Sequence, residues 1–312
     1  MGLSALTRVL AFGDEAIAEA TAIVAKGGIV AVPTETVYGL AGDATSPRAV
    51  AAIYAAKGRP DFNPLIVHVR DLDHAREIGD FDAESTALAR IWWPGPLTLV
   101  VRVRPGADLA QGVTAGLSTV ALRVPAHRAM RALLEATGKP LAAPSANASG
   151  SISPTRARHV LHSLGGRIPL VIDDGATQGG IESTIVTVAD GQLRLLRPGP
   201  VIIDRAYVGE SNKIEAPGQL AAHYAPSKPL RIEAASAEPD EWHIGFGSVA
   251  GDATLSATGD LAEAASHLFD LLHRADAAPS RRIAVAPVPH TGIGIAINDR
   301  LRRAVVGSGD RT

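Results

Sequence analysis

The chain has 312 residues, of which 46% are hydrophobic and 20% charged, enough to bury the cores of about two domains. Its 30 basic and 32 acidic residues give a net charge of −2, which argues against a protein that coats nucleic acid by charge alone. The absence of cysteine excludes disulfides, thiolate metal sites and a cysteine nucleophile, and is typical of a cytoplasmic protein.

The first two thirds of the chain alternate helical periodicity with short apolar runs bounded by Pro or Gly. Helices are predicted at about 14–26, from Ser46-Pro47 to Gly58, at 126–138, and from near Thr155. Strands are predicted at 27–33, 64–69, 97–103, 118–124, 169–172, 183–188 and 193–197. Interleaved strands and helices of this kind predict an α/β domain built on one main sheet.

The pattern breaks near residue 205. Residues 209–229 hold three prolines and show no sustained period, so we interpret them as a linker. Beyond them we predict strands at 230–233, 242–246 and 282–286, and helices at 260–274 and 294–304. The predicted organisation is therefore a catalytic domain over 1–208, the linker, and a small α/β domain over 230–312. No apolar run approaches the roughly 18 residues of a membrane span.

Cationic side chains stand at the ends of predicted elements. Lys57 and Arg59 follow a helix end, Arg123 interrupts an apolar strand, and Arg197 ends a strand before Pro-Gly. Arginine presents a planar fork to phosphate and lysine a point charge, so these residues suit an anionic ligand. The simpler alternative for Lys57 and Arg59 is that they complement the negative end of a helix.

Polar loops follow several of the same strands. Residues 144–155 are rich in serine and resemble an anion-binding nest, the alternative being a flexible polar loop. Residues 33–40 offer hydroxyls after a buried strand, but taken alone they favour a capping box at the start of a short helix. Asp173 and Asp174 are candidate Mg²⁺ ligands or simply solvated acids at a turn. The whole set predicts a nucleoside triphosphate bound without a P-loop, a motif that the chain lacks.

Six segments together resemble the YrdC-type threonylcarbamoyl-AMP synthases. They lie in that family's order within residues 15–205 and read PTETVYGL, KGRPDFNPLIVH, STVALRVP, PSANASGSISPT, GGIESTIV and LLRPG. The segment APGQLAAHYAPSKP (216–229) resembles the linker of the longer members, which carry a small Rossmann-like C-terminal domain. The resemblance implies an α/β fold with a twisted mixed sheet of the YrdC-like (double-stranded-RNA-binding-like) type around a basic cavity.

The resemblance also implies a reaction. L-threonine, bicarbonate or CO₂, and ATP with Mg²⁺ would give threonylcarbamoyl-AMP and pyrophosphate, which makes the enzyme a nucleotidyltransferase. The product would pass to a tRNA threonylcarbamoyl transferase complex that modifies adenosine next to the anticodon.

Site residues are carried over on the same motifs. Those implied to bind L-threonine are Thr34, His68, Arg123 and Ser183. Those implied to bind ATP are Lys57, Arg59, Thr119, Ser145, Asn147, Ser153, Arg197 and Tyr224, with Lys57 and Arg59 also implied to act in catalysis and Tyr224 to close over the nucleotide. One departure concerns the linker, which begins with Ala216 instead of Ser and reads Gln-Leu-Ala-Ala at 219–222, where the family usually carries a basic residue.

Two other functions were weighed. An RNA-binding module using the basic cavity, with weak binding of tRNA, has little support from a net charge of −2 and an aromatic content of 4%. A carbamoyl-transfer domain of the hydrogenase-maturation kind shares the implied fold, but such proteins usually carry a zinc finger, which a chain without cysteine cannot form.

Overall fold

A computed structural model describes residues 6–189, 191–204, 206 and 215–309. The helices are α1 (Asp14–Ala25), α2 (Pro47–Lys57), α3 (Leu72–Ile78), α4 (Ala83–Trp92), α5 (Arg128–Thr137), α6 (Ala157–Leu164), α7 (Leu261–Ala277) and α8 (Gly294–Gly309). The strands of the first sheet are β1 (Arg8–Ala11), β2 (Val30–Pro33), β3 (Tyr38–Asp43), β4 (Ile66–His68), β5 (Gly79–Asp80), β6 (Leu97–Val103), β7 (Thr119–Arg123), β8 (Leu141–Ala142), β9 (Leu170–Asp173), β10 (Thr184–Ala189) and β11 (Gln192–Arg197). Those of the second are β12 (Leu230–Arg231), β13 (Glu241–Gly245), β14 (Ala253–Thr254) and β15 (Arg282–Val285).

The larger sheet is mixed and runs in the order β1-β9-β2-β3-β8-β4-β7-β6-β10-β11, with β5 paired to β6. The smaller sheet is parallel throughout, in the order β12-β15-β13-β14. The prediction of an α/β fold with a large twisted mixed sheet is confirmed. None of the helices in the described part of the chain is both long and apolar enough to cross a membrane.

Local signals in the sequence place several helix ends correctly. Ser46 is the N-cap of α2 and its Oγ accepts a hydrogen bond from the backbone N–H of Ala49 at 3.3 Å. Gly58 ends the same helix with φ of 59°, a left-handed conformation that glycine adopts without steric cost. Gly138 ends α5 in the same way. The α2 end matters for function because it fixes where Lys57 and Arg59 leave the helix.

The prediction of a capping box in residues 33–40 was wrong. β2 and β3 pair antiparallel, with Pro33 opposite Tyr38, so the segment forms a hairpin and not a helix start. The Thr34 hydroxyl donates to the carbonyl oxygen of Val37 at 2.7 Å and accepts from the Val37 N–H at 3.2 Å. The threonine closes a strand-to-strand turn, which a capping pattern cannot distinguish from a helix start by sequence alone.

A hydrophobic core lies between the two parts of the chain and contains residues from both. Val37, Ile152 and Ile181 from the first two thirds of the chain pack in one buried cluster with Tyr224 and the apolar faces of α7 and α8. Residues 209–214 of the predicted linker lie outside the described residues. Its remainder crosses this interface, where the Ala225 N–H donates to the Gly150 carbonyl at 2.9 Å. The C-terminal unit, which comprises the second sheet with α7 and α8, therefore packs against the loop that follows β8.

Candidate active site

One cavity collects most of the side chains that the motifs predict. The predicted residues that line it are Thr34, Arg59, His68, Arg123, Ser145, Ser183, Arg197 and Tyr224. They come from the β2–β3 hairpin, the turn after α2, strands β4, β7 and β11, the loop after β8, the turn before β10, and the segment 215–229. Residues more than a hundred positions apart in the chain are thus brought to one site by the pairing of β4 with β7 and of β6 with β10.

A carboxylate–guanidinium pair forms one part of the cavity wall. Arg123 is buried, its Nη2 lies 2.6 Å from Glu35 Oε1, and its Nη1 donates to the Thr36 hydroxyl at 3.1 Å. Burial raises the pKa of Glu35, but the charge and hydrogen bond of Arg123 outweigh it and hold that pKa below its usual value. Glu35 is therefore ionised at neutral pH, and Arg123 is further held by its Nε, which donates to the Gly95 carbonyl at 3.1 Å.

His68 lies beside this pair on β4, opposite Arg123 on β7. Neither of its ring nitrogens has a hydrogen-bond partner among the described residues, although both are buried. Burial, reinforced by the charge of Arg123, lowers the pKa of His68 to about 3. A neutral, buried imidazole without a partner in a polar cavity indicates a place where a ligand completes the hydrogen bonding.

Two further cations, Arg59 and Arg197, line the cavity. Arg59 donates to the Asn63 carbonyl and amide oxygens at 3.0 and 2.6 Å and to the Pro64 carbonyl at 2.7 Å, which fixes its guanidinium plane. Burial lowers the pKa of Arg59 to about 10, so it remains charged at neutral pH. Arg197 is buried and donates through Nε and Nη2 to the Ser183 carbonyl at 3.0 and 2.9 Å.

Lys57 does not line the cavity. Its Nζ lies behind the loop after β8 and donates to the carbonyl oxygens of Ser145 at 2.5 Å and Asn147 at 2.6 Å. Burial lowers the pKa of Lys57 well below its usual value. In this structure the lysine shapes the loop that presents Ser145 to the cavity. Its predicted contact with ATP and its predicted catalytic role stay predictions.

Three further predicted residues stand outside the cavity lining. Asn147 donates through Nδ2 to the Ser151 carbonyl at 2.8 Å and braces the same loop. Ser153 is fully buried and its Oγ donates to Glu182 Oε1 at 2.5 Å. Thr119 is half-buried at the start of β7, opposite Arg102. Their assignment to ATP stays a prediction.

The segment 215–229 covers the cavity. Tyr224 is buried in it with φ of 62°, an unfavourable conformation for an aromatic residue, and its hydroxyl has no hydrogen-bond partner among the described residues. A Cβ on Gly218 would lie 2.8 Å from that hydroxyl and 3.0 Å from Arg197 Nη1, so glycine is required there. With this segment in place the cavity has about 50 Å³ of free space, far less than the 300 Å³ or more of a typical ligand pocket.

The linker position at which the resemblance expects a basic residue has a structural use instead. Gln219 Oε1 accepts from the backbone N–H groups of residue 215 at 2.7 Å and Ala216 at 3.0 Å, closing a turn. Arg303 of α8 donates to the Leu220 carbonyl at 2.6 Å. Arg303 of the C-terminal helix therefore contacts residues 219–222, the stretch that carries no basic residue.

The acidic residues of the site do not form a metal-binding cluster. Asp174 is paired with Arg128 at 2.5 Å, and Asp173 accepts from the Tyr38 hydroxyl at 3.1 Å. Within the described ranges there is no group of three or more His, Asp or Glu residues that could hold a metal ion.

Sequence reasoning missed several contributors. Thr36 and His223 line the cavity, and Glu35 pairs with Arg123, which lines it, but the sequence assigns none of the three a role in binding, although Glu35 and Thr36 lie inside a recognised motif. Glu182 also lines it. Arg300 of α8 contacts Glu182 from the C-terminal unit, and no feature of its helix distinguishes it from an ordinary surface arginine in the sequence.

Comparisons with known proteins match this geometry. The family model described as "Telomere recombination" (Sua5, YciO and YrdC proteins) matches residues 22–199, and the model of the threonylcarbamoyl-AMP synthase C-terminal domain matches residues 181–305. The threonylcarbamoyl-AMP synthase of Bacillus subtilis is 39% identical over 97% of this chain and 96% of its own length. That of Pyrococcus abyssi is 37% identical over 91% and 92%. A crystal structure of P. abyssi Sua5 complexed with L-threonine matches with a TM-score of 0.86 and 33% identity over 97% of this chain and 98% of that one.

Proposed function

The chain belongs to the two-domain YrdC-type threonylcarbamoyl-AMP synthase family, and on that premise we propose that it joins L-threonine, bicarbonate or CO₂, and ATP into threonylcarbamoyl-AMP and pyrophosphate. The observation that carries the proposal is one cavity lined by side chains that suit two kinds of ligand. Arg123, His68 and the hydroxyl of Thr34 suit a small amino acid, and Arg59 and Arg197 suit a polyphosphate.

The chemistry needs no side-chain nucleophile. The deprotonated amine of threonine attacks the carbon of CO₂, and the carbamate that results carries the new oxygen nucleophile. A carbamate oxygen attacks the α-phosphorus of ATP, the bond from that phosphorus to the bridging oxygen breaks, and pyrophosphate leaves with the electron pair. This transfer of an adenylyl group is the reaction of a nucleotidyltransferase.

The protein accelerates these steps by holding the reactants in line and by stabilising charge. Effective molarities from such positioning reach about 10⁵ M or more in model reactions. Arg59 and Arg197 line the cavity and are proposed to neutralise charge on the transferring phosphorus and the leaving pyrophosphate. Lys57 is proposed to contribute through geometry, because its Nζ donates to the Ser145 carbonyl.

Mg²⁺ is proposed to enter with ATP as part of the substrate. It would share the neutralisation of the phosphate oxygens, which is the chemistry that Mg²⁺ supplies to nucleotides. The ion pairs of Asp174 and Glu35 with arginines leave these two carboxylates without a free charge for the metal.

The segment 215–229 is proposed to open and close over the nucleotide. The free space beneath it is too small for ATP, so the segment must lift before the nucleotide enters. The positive φ of Tyr224 supports this proposal, because the covering position holds that residue against its backbone preference. Closure would then exclude water from the reactive adenylate.

The product is proposed to pass to a tRNA threonylcarbamoyl transferase complex in the cytoplasm. Direct binding of tRNA by the basic cavity, the alternative function, is disfavoured by the burial of Arg123 and Arg197 under the covering segment. A filter-binding assay with tRNA at low and high salt separates the two, because binding through phosphates falls steeply with salt.

The test of the proposed function is pyrophosphate release. We expect release only when ATP, L-threonine and bicarbonate are all present, and loss of release when any one is omitted. L-Serine lacks the methyl group, which is worth about tenfold or more in an apolar pocket, so it should react more slowly. Release that does not depend on threonine would reject the proposal.

A further inference from the structure

Helix α8 of the C-terminal unit inserts an arginine behind the cavity wall. Arg300 is fully buried, and its Nε donates to Glu182 Oε2 at 3.0 Å. Its Nη1 donates to the Pro198 carbonyl at 2.7 Å and to Asp299 Oδ2 at 3.0 Å, and its guanidinium lies 5.4 Å from the centre of the Tyr224 ring. The guanidinium thus lies between the active-site wall, through Glu182 and Tyr224, and its own helix, through Asp299.

Glu182 connects this arginine to the predicted nucleotide site. The carboxylate lines the cavity, and while one oxygen accepts from Arg300 the other accepts from the Ser153 hydroxyl at 2.5 Å. Helix α7 reaches the same serine independently, because His273 Nε2 lies 3.2 Å from the Ser153 carbonyl oxygen and can donate to it. Both long helices of the C-terminal unit therefore converge on Ser153.

The charge of Glu182 gives this arrangement a consequence for ATP. A carboxylate in the wall of a cavity that accepts a triphosphate repels the ligand unless it is neutralised, and the low dielectric of a buried site strengthens that repulsion. Arg300 contributes the neutralising charge and, through Nε, the hydrogen bond that fixes Oε2 of the carboxylate. Removing it would leave a buried negative charge facing the phosphates and would loosen the carboxylate to which Ser153 donates.

We propose that Arg300 is a positioning residue for the nucleotide, through which the C-terminal unit sets the charge and geometry of the ATP end of the active site. The inference rests on the proposed function and extends it. It assigns the C-terminal unit a part in substrate binding beyond anchoring the covering segment. The effect should fall mainly on ATP, because among the described residues the hydrogen bonds of Arg300 reach none of the side chains of Thr34, His68, Arg123 and Ser183, and it approaches Ser183 only through the Glu182 carbonyl at 3.4 Å.

The test compares Arg300→Gln with Arg302→Gln in the full chain. Arg302 is exposed on the same helix and has no place in the site, so its replacement is the matched control. We expect Arg300→Gln to weaken binding of a non-hydrolysable ATP analogue by about ten- to a hundredfold, the loss typical of one charged hydrogen bond. The KM for ATP should rise by a similar factor. Binding of L-threonine and its KM should change by less than about twofold.

A double variant sharpens the result. In Glu182→Gln/Arg300→Gln no uncompensated charge remains, so affinity for the ATP analogue should recover by a factor of about five or more relative to Arg300→Gln alone. The inference would be overturned if Arg300→Gln lost affinity equally for ATP and threonine, or if its nucleotide affinity stayed within twofold of the parent. It would also be overturned if the double variant recovered no affinity.

Folding and the proposed function are controlled separately. Circular dichroism melts establish that each variant is folded at the assay temperature. If Arg300→Gln does not fold, Arg300→Lys is used instead, because it keeps the buried charge but loses the planar guanidinium. The same comparison then applies: affinity for the ATP analogue should fall more than affinity for L-threonine. A parent protein without threonine-dependent pyrophosphate release refutes the proposed function, whereas an active parent with an unaffected Arg300→Gln variant refutes only this inference.

Discussion

The replacement of Arg59 by alanine probes the proposed polyphosphate wall most directly. Arg59 is half-buried, lines the cavity and is held by three hydrogen bonds to Asn63 and Pro64. Removing one preorganised charged donor from a site where transition-state charge develops reduces kcat by roughly 100- to 1,000-fold, or about 3–4 kcal/mol. The lost hydrogen bonds at the Asn63 turn should lower the free energy of unfolding by about 1–3 kcal/mol, which a chain of this length tolerates.

The assay is threonine-dependent pyrophosphate release under saturating threonine and bicarbonate, with ATP varied. Arg102→Ala is the control, because Arg102 is exposed on β6 and does not line the cavity. We expect parent-like turnover from Arg102→Ala and a loss of kcat/KM of about a hundredfold or more from Arg59→Ala. A folded Arg59→Ala protein that releases pyrophosphate within threefold of the parent rate would show that Arg59 does not hold the transferring phosphate.

Three further outcomes are expected. Arg123→Lys should raise the KM for threonine about tenfold and leave the KM for ATP unchanged, because a lysine cannot reproduce the fork between Glu35 and Thr36; parallel changes in both constants would contradict this. Lys57→Met should lower the melting temperature by several degrees, because two buried carbonyl groups lose their hydrogen-bond donor at a cost of about 1–3 kcal/mol of stability each. An unchanged melting temperature would show that the loop after β8 does not need the lysine. Burial lowers the pKa of His273 to about 3, from 6.5 in the unfolded chain, so between these two values the native state binds fewer protons and its stability falls as the pH falls. His273→Asn should make the slope of unfolding free energy against pH shallower by about 1.4 kcal/mol per pH unit, as measured by urea unfolding from about pH 6 to 4.5. An identical slope in the variant would show that His273 is protonated in the native protein.

Local features of the fold could be predicted where the responsible physics is local. The cap at Ser46 and the left-handed end at Gly58 need only neighbouring residues, and the strand at 97–103 matches β6 in full. The segment 33–40 failed because a hydroxyl that closes a hairpin and one that caps a helix share one sequence pattern. The two are distinguished only by whether the following residues pair with β2 as the strand β3.

The same limit applies to the site. Motifs identified Arg59, Arg123 and Arg197, because charged residues at strand and turn ends are conspicuous in an apolar context. They did not indicate that Lys57 donates to the Ser145 and Asn147 carbonyls, because backbone acceptors are present in any sequence. Arg300 could not be found at all, since its burial is created by the packing of α8 against the cavity wall. Residues that act through tertiary contacts leave no signal at their own position.

The proposed reaction is tested most directly by mass spectrometry of the product formed from ATP, L-threonine and ¹³C-bicarbonate. We expect an adenylate that contains both threonine and the labelled carbon, with one pyrophosphate released for each molecule formed. A product without the label, such as threonyl-AMP, would contradict carbamate formation in this cavity. The absence of any threonine-containing adenylate would contradict the proposed function as a whole.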